Sequence, residues 1–297
     1  MYTFQDLYEQ FTKITSDTSS NNIDFGKALV NQTHELICDS YNWTFLYKNK
    51  VFTTTVGQSQ VILPNDTRIV QGVSVTSGET TYYPDEISSP IRWGKIVQNY
   101  STKSDKMDLY TVRGNVVKFY PAIATAGLTI NLEYVAAPAV MEQDDYSTGN
   151  VSAITQGGVD VIGSGTGWAS LTGNLSIFLP DGLWYKVSSI TSNTQLVLET
   201  PYQGATISTN QDYRIGETPL IPGSYQDLLW LRPVGIYYLM KGQEARAKIY
   251  FSNDMRAPGL FESLLRKMRQ RYSSPTSNNI LKESTGRYWG SVPVDAT

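Results

Sequence analysis

The chain has few of the residues that most often do chemistry. It contains one histidine and one cysteine in 297 residues. A single cysteine excludes an intramolecular disulfide. Cys38 sits in an apolar stretch at helical spacing and reads as a small buried hydrophobe. With His34 and Cys38 as the sole imidazole and thiol, the usual zinc sets are out of reach. His34, flanked by Thr33 and Glu35, reads as a partly exposed or core helix residue rather than a ligand. A Ser-His-Asp triad would need His34 as its base, and no Gly-x-Ser-x-Gly elbow supplies a nucleophile. Gly26-Lys27-Ala28 and Gly94-Lys95-Ile96 lack the hydroxyl residue and upstream glycine of a phosphate loop. Nothing approaches ~18 consecutive apolar residues, so no membrane span is expected. Met1-Tyr2-Thr3-Phe4-Gln5-Asp6 has neither the basic start nor the apolar run of a secretion signal, so folding in a cytosol is expected. No catalytic residue, metal ligand or cofactor site is therefore assigned.

Charge is also scarce, at 17% of residues, with 24 basic and 27 acidic side chains. Polar neutral residues fill the gap, and 20 tyrosines stand against nine phenylalanines. A weakly charged, Tyr- and Thr-rich surface suits strands and suits surfaces that end up buried against partners. Tyrosine buries a ring while keeping a wettable end.

What is present is a change of period along the chain. Residues 3–15 predict a helix with Thr3 as N-cap and Phe4, Leu7, Tyr8, Phe11 and Ile14 on one face. A second helix is expected from Ile23 to Tyr41, with Phe25, Leu29, Val30, Leu36 and Ile37 as its stripe. Beyond Trp43 the pattern turns to strands. Residues 51–56 and 60–63 predict a β-hairpin, and 68–76, 109–112, 116–120 and 128–135 predict further strands. Residues 147–217 are rich in Gly, Ser and Thr, and six short strands there fit a small barrel. Helical spacing returns after Pro222: a helix kinked or broken near Pro233, a second from Gln243 to Asn253, and a third after Pro258 with Leu260, Phe261, Leu264, Leu265 and Met268 as its apolar face.

The expected fold class is α+β. The N- and C-terminal helices form one bundle, because neither buries its stripe alone. The modules are a helical hairpin at 1–50, a β-sandwich-like module at 51–146, an inserted small β-barrel at 147–217, helices at 218–272 and an extended C-terminal arm at 273–297.

Eight basic and three acidic residues lie between Lys241 and Arg271, and Arg266, Lys267, Arg269 and Arg271 close the last helix. These four pair with the helix C-terminal dipole, or form a basic face for an acidic partner or DNA. Asp144-Asp145 reads as a solvated loop at a module boundary, with an acid pair or metal corner as the alternative. Paired carboxylates for glycoside hydrolysis stay open, since spatial separation is invisible in sequence. Trp168, Trp184 and Tyr185 could stack on a sugar but fit better as core of the 147–217 module. In the last residues Ile280, Leu281, Tyr288 and Trp289 are apolar anchors between polar spacers, which suits an arm that orders on a partner or folds back on its own subunit.

A series of short motifs resembles the head-to-tail adaptor proteins beneath the portal of tailed bacteriophages. It begins with Tyr41-Asn42-Trp43 after the first helices, followed by Thr55-Val56-Gly57-Gln58 leading to Leu63-Pro64-Asn65-Asp66. Phe119-Tyr120-Pro121-Ala122, Leu132-Glu133-Tyr134 with Pro138, and Asp144-Asp145 come next. Ile221-Pro222-Gly223-Ser224-Tyr225-Gln226-Asp227-Leu228-Leu229 opens the C-terminal helices. The chain departs from the simple pattern by the residues between Asp145 and Ile221, which resemble a small phage β-barrel through Gly163-Ser164-Gly165-Thr166-Gly167-Trp168 and Asp212-Tyr213-Arg214-Ile215.

The resemblance implies a structural virion protein at the head-tail junction, without a cofactor. It implies a ring of about twelve copies bound to the portal protein and to tail or nozzle proteins, with packaged DNA passing through its channel without sequence recognition. It also supports an arm whose Ile280, Leu281, Tyr288 and Trp289 contact the portal or a neighbouring subunit, and the basic Arg266, Lys267, Arg269 and Arg271 are expected to face the same partners. Two other functions remain open by sequence: a virion-associated peptidoglycan-degrading enzyme and a carbohydrate-binding tail module.

Overall fold

A computed structural model describes residues 1–99, 106–123, 126–252 and 258–273. Along the chain, helices α1 (Phe4–Thr15) and α2 (Ser20–Ser40) are followed by strands β1 (Tyr47–Thr53), β2 (Gln60–Ile62), β3 (Thr67–Ser77), β4 (Thr80–Tyr82) and β5 (Asp85–Glu86). Helix α3 (Pro90–Asn99) leads to β6 (Leu109–Arg113), β7 (Val116–Tyr120) and β8 (Thr129–Ala136). Then come β9 (Asn150–Ala153), β10 (Asp160–Ser164), β11 (Leu175–Phe178), β12 (Trp184–Ser192), β13 (Gln195–Leu198) and β14 (Arg214–Glu217). Helices α4 (Leu228–Met240), α5 (Glu244–Tyr250) and α6 (Leu260–Tyr272) complete the described fold. The fold is α+β, as the change of period predicts. The chain divides into two compact units: Leu46–Ala137, and a second built from Met1–Phe45 with Pro138 onward.

The unit made from both chain ends begins with a well-capped helix. Thr3 Oγ1 accepts from Asp6 N at 3.2 Å, and Asp6 Oδ2 accepts from Thr3 N at 3.0 Å. This reciprocal pair satisfies two donors that the first turn would otherwise leave open. Phe4, Leu7, Tyr8 and Phe11 are buried on one face. Gly26 lets α2 come close: a Cβ there would lie 2.5 Å from the Phe11 ring. Helix α2 starts at Ser20, earlier than expected, because Ser19 caps it through Asn22 N. Leu36 is exposed rather than part of the buried stripe; Thr33, His34 and Ile37 fill that face.

Helix α4 packs on both α1 and α2, and α5 and α6 pack on α4. Of the kink or break expected near Pro233, the break does not occur. The helix runs through Pro233 to Met240, held by buried Leu228, Leu231 and Val234. Burial across three helices outweighs the one backbone bond that proline removes. Helix α5 ends at Tyr250, short of Asn253, and α6 buries Phe261 and Met268 while leaving Leu260 exposed.

Residues 150–217 of the same unit form a six-stranded antiparallel sheet in the order β14-β11-β12-β13-β10-β9. All six strands overlap the expected positions, 151–155, 159–162, 175–179, 184–190, 195–199 and 211–215. The sheet curls into a half-barrel around Val151, Val161, Trp168, Ile177, Leu196 and Ile215. Isolated bridges Val151–Gln211 and Ile154–Ile207 tie its β9 edge to the segment that enters β14. Trp168 Nε1 donates to Tyr213 Oη at 2.9 Å, so the buried indole has its partner.

The Leu46–Ala137 unit holds two four-stranded sheets, β1-β8-β3-β4 and β2-β7-β6-β5, around one core that includes Val75, Met107, Val117, Ile130 and Leu132. The expected hairpin between 51–56 and 60–63 does not form. Strand β1 pairs with β8 and β2 pairs with β7. The intervening loop bonds away from itself: Leu128 N donates to Thr54 Oγ1 at 3.0 Å, and Gly57 N donates to Ile123 O at 2.8 Å. Strand propensity marks a run as extended but does not choose its partner. The tight turn at Gly114, by contrast, is present with φ +58 between β6 and β7.

Candidate partner-binding site

The four basic residues singled out from sequence all lie on α6 and are exposed. They do not all serve one purpose. The Arg269 guanidinium lies 4.4 Å over the Tyr41 ring, and that of Arg271 lies 5.4 Å over Tyr272. Tyr272 meets Phe45 and Tyr225 edge-on at 5.7 and 5.8 Å. Trp43, fully buried, stacks on Phe45 at 5.6 Å, donates from Nε1 to Ile37 O at 2.6 Å and bridges to Ser273. The end of α6 is thus seated on aromatics supplied by the chain just after α2. Arg269 adds a cation–π contact to that seat. Arg266 and Lys267 are exposed and have no such ring contact among the described residues. Ile280, Leu281, Tyr288 and Trp289 lie outside the described residues.

A second polar centre was not legible in the sequence. Arg214, the first residue of β14, pairs with two carboxylates. Its guanidinium meets Asp6 at 3.1 and 3.3 Å and Asp145 Oδ2 at 3.3 Å. Thr3 Oγ1 donates to Asp145 Oδ2 at 3.0 Å, and Asp145 N donates to Gln5 Oε1 at 2.9 Å. Asp144 accepts from Tyr8 Oη and from Lys27 Nζ, each at 2.8 Å. The expectation of a solvated acidic loop is therefore corrected. Asp144-Asp145 stitch the chain after Pro138 to α1, α2 and β14. The Asp145 side chain is 11% exposed, and burial pushes its carboxyl up to about 6, with Thr3 and Arg214 opposing that rise. Burial also raises Asp144, but hydrogen bonds from Lys27 and Tyr8 outweigh it and hold the carboxyl below its usual range. Nearby Glu217, buried, accepts from Glu142 N and Gln143 N at 2.5 and 2.6 Å. Most of these oxygens and donors bond to one another and form a junction between chain segments, while Asp145 Oδ1 is buried without a hydrogen-bond partner.

His34 is buried, and its Nε2 accepts from Leu220 N at 3.2 Å. Burial lowers it to about 4, so the ring is neutral at physiological pH. No cluster of three metal-ligating side chains occurs among the described residues. Trp168 and Tyr185 are core residues of the half-barrel, as the sequence suggested, and Trp184 is covered by Arg214 at 5.1 Å. No described helix is long and apolar enough to cross a membrane.

The chain matches the family model "SU10 adaptor protein" over residues 2–158, more than half its length. It belongs to the SU10 adaptor protein family, and so to the structural adaptor proteins of bacteriophage virions. The matched span runs from α1 through the Leu46–Ala137 unit and the stitched acidic loop into the first strand of the half-barrel. No curated protein matches the chain.

Proposed function

We propose that the protein is the head-to-tail adaptor that joins the portal to the tail and lines part of the DNA exit channel. The observation that carries this reading is the SU10 adaptor match across residues 2–158. The ordered motifs leading from Tyr41-Asn42-Trp43 to Ile221-Pro222 support it. In this role the chain is a structural protein and not an enzyme. It acts by binding the portal, other copies of itself in a ring of about twelve, and tail or nozzle proteins. Packaged DNA passes through without sequence recognition. Ring assembly repeats each weak contact many times, which suits a surface low in charge.

Within this reading, residues 147–217 are an inserted small barrel, separable from the helices at 1–50 and 218–272 and from the module at 51–146. Residues 273–297 are an arm. Ile280, Leu281, Tyr288 and Trp289 anchor it on the portal or the next subunit, while Arg266 and Lys267 face the same partner. Burying a large aromatic yields ~2 kcal/mol, which repeated around a ring offsets the ordering of the arm. The test is truncation after Tyr272. The expected product is folded, fails to bind purified portal rings stably, and yields heads that leak DNA. Unchanged portal affinity would remove the arm. Absence of the chain from the head-tail junction in images of particles would remove the adaptor assignment.

A further inference from the structure

The unit built from both chain ends carries opposite charge on its two helical groups. Residues 1–45 hold six acidic and two basic side chains. The turn from α4 into α5 is the reverse. Residues 239–249 are exposed at every position but Ala247 and include Lys241, Arg246 and Lys248 against one acid, Glu244. The same turn exposes large apolar side chains, Met240 at 68% and Ile249 at 57%. Lys241 and Arg246 lie over the Tyr237 and Tyr238 rings at 5.4 and 5.6 Å, but neither they nor Lys248 meet a carboxylate among the described residues. Exposed aliphatics of this size beside such cations mark a contact surface.

A matching hollow lies on α2. A groove of about 300 Å³ runs between that helix and the segment 138–140. Ala28, Pro138, Ala139 and Val140 supply its apolar lining, and Val140 is 65% exposed. Glu35 stands on its rim. Asp24, Ala28, Gln32 and Glu35 recur at three- and four-residue spacing, so they share one exposed stripe of α2. Neither Asp24 nor Glu35 is in an ion pair among the described residues. At about 300 Å³ the hollow has room for an aliphatic side chain. Its wall is held open by Asn31, which accepts from Met141 N at 2.9 Å and donates to Met141 O at 2.8 Å.

We infer that the acidic-rimmed groove on α2 receives the cationic α4–α5 ridge of a second copy of this chain, with Ile249 entering the hollow and Arg246 and Lys248 meeting Asp24 and Glu35. Charge complementarity selects this occupant, since both halves of the contact stand on the same polypeptide. The two patches share no residue, so each copy uses both at once. Such a contact is head-to-tail, and it closes into a ring when its rotation divides the circle. The inference rests on the ring reading above and names the faces that join. It also assigns a purpose to the exposure of Met240 and Ile249.

Charge reversal tests it. One variant carries Asp24→Lys and Glu35→Lys, and a second carries Arg246→Glu and Lys248→Glu. All four sites are exposed, and thermal unfolding checks that each variant folds. At about 50 mM salt, where charges are felt beyond ~10 Å, each variant alone should self-associate at least ~10-fold more weakly than the parent chain in sedimentation velocity. Mixed in equal amounts they should recover association, because the basic groove of the first fits the acidic ridge of the second and its own basic ridge fits the unaltered groove. A chain carrying Val140→Cys mixed with one carrying Ile249→Cys should give a bismaleimide-linked pair that neither gives alone, and Cys38, being buried, should not compete. The same pair should link in assembled particles. Rings in particles without this link, or a mixture that fails to recover, overturn these faces and leave the adaptor ring standing. A single copy per particle overturns the ring reading together with them.

Discussion

Replacing Arg214 with methionine should loosen the junction between β14 and α1 in a pH-dependent way. Methionine keeps the contact with the Trp184 ring but removes the cation from two carboxylates, Asp6 and Asp145. Removing one partner of a fully buried pair costs about 3–5 kcal/mol, and of an exposed pair about 0–1 kcal/mol. Arg214 is 39% exposed while Asp145 is 11% exposed, so a loss of about 2 kcal/mol is expected at pH 8. For a unit of this size that lowers Tm by ~4–8 °C. The pH trend has a fixed sign. Burial raises the Asp145 carboxyl from 3.8 to about 6 in the fold, so its contribution favours the fold below 3.8 and is lost as pH rises through 6. Near pH 5 Asp145 is largely protonated and needs the cation less. The cost of the substitution should therefore shrink toward that of losing Asp6 alone. Adding Asp145→Asn to the variant should recover part of the loss at pH 8 and little at pH 5. Calorimetric scans at the two pH values for the four chains complete the double-mutant cycle. Equal destabilisation at pH 5 and pH 8, or strict additivity of the two substitutions, would refute the junction as described.

Three further outcomes are expected. Gly216→Ala should destabilise by about 1–3 kcal/mol, because the added Cβ would lie 2.3 Å from Asp145 Oδ1 and 2.6 Å from Thr3 Cγ2; urea unfolding measures it. The single imidazole in an NMR titration should stay neutral down to about pH 5, since burial lowers His34 to about 4; its contribution is present above pH 6.5 and is lost as pH falls through 4, opposite in trend to Asp145. Replacing residues 147–217 with a short Gly/Ser linker should leave the helices and the Leu46–Ala137 unit folded but cost the Arg214 and Glu217 contacts, so a cooperative transition at lower temperature is expected. Loss of all cooperative unfolding would contradict the proposed separability.

Much of the architecture was determined by local sequence. Thr3 and Asp6 at capping-box spacing mark the start of α1, and turn glycines such as Gly114 set the joint between β6 and β7. The six strands of residues 150–217 were legible because alternation and turn chemistry are short-range signals. Pairing was not. Strands β1 and β2 read as a hairpin, yet each took a partner more than fifty residues away, because an extended run offers the same backbone bonds to any neighbour and burial decides among them. Helix α3, absent from the sequence reading, has no fully buried side chain among those described, and Trp93 meets the Tyr120 ring at 6.4 Å. The junction of Asp6 with Arg214 spans 208 residues, and Asp144-Asp145 read as a solvated loop because their partners Thr3, Tyr8, Lys27 and Arg214 are all far from them in sequence. Low charge, one histidine and one cysteine are the sequence features behind the expectation of assembly rather than catalysis. Which faces can meet a second copy depends on where α2 and the α4–α5 turn end up exposed, and only the packing of the helices on one another decides that.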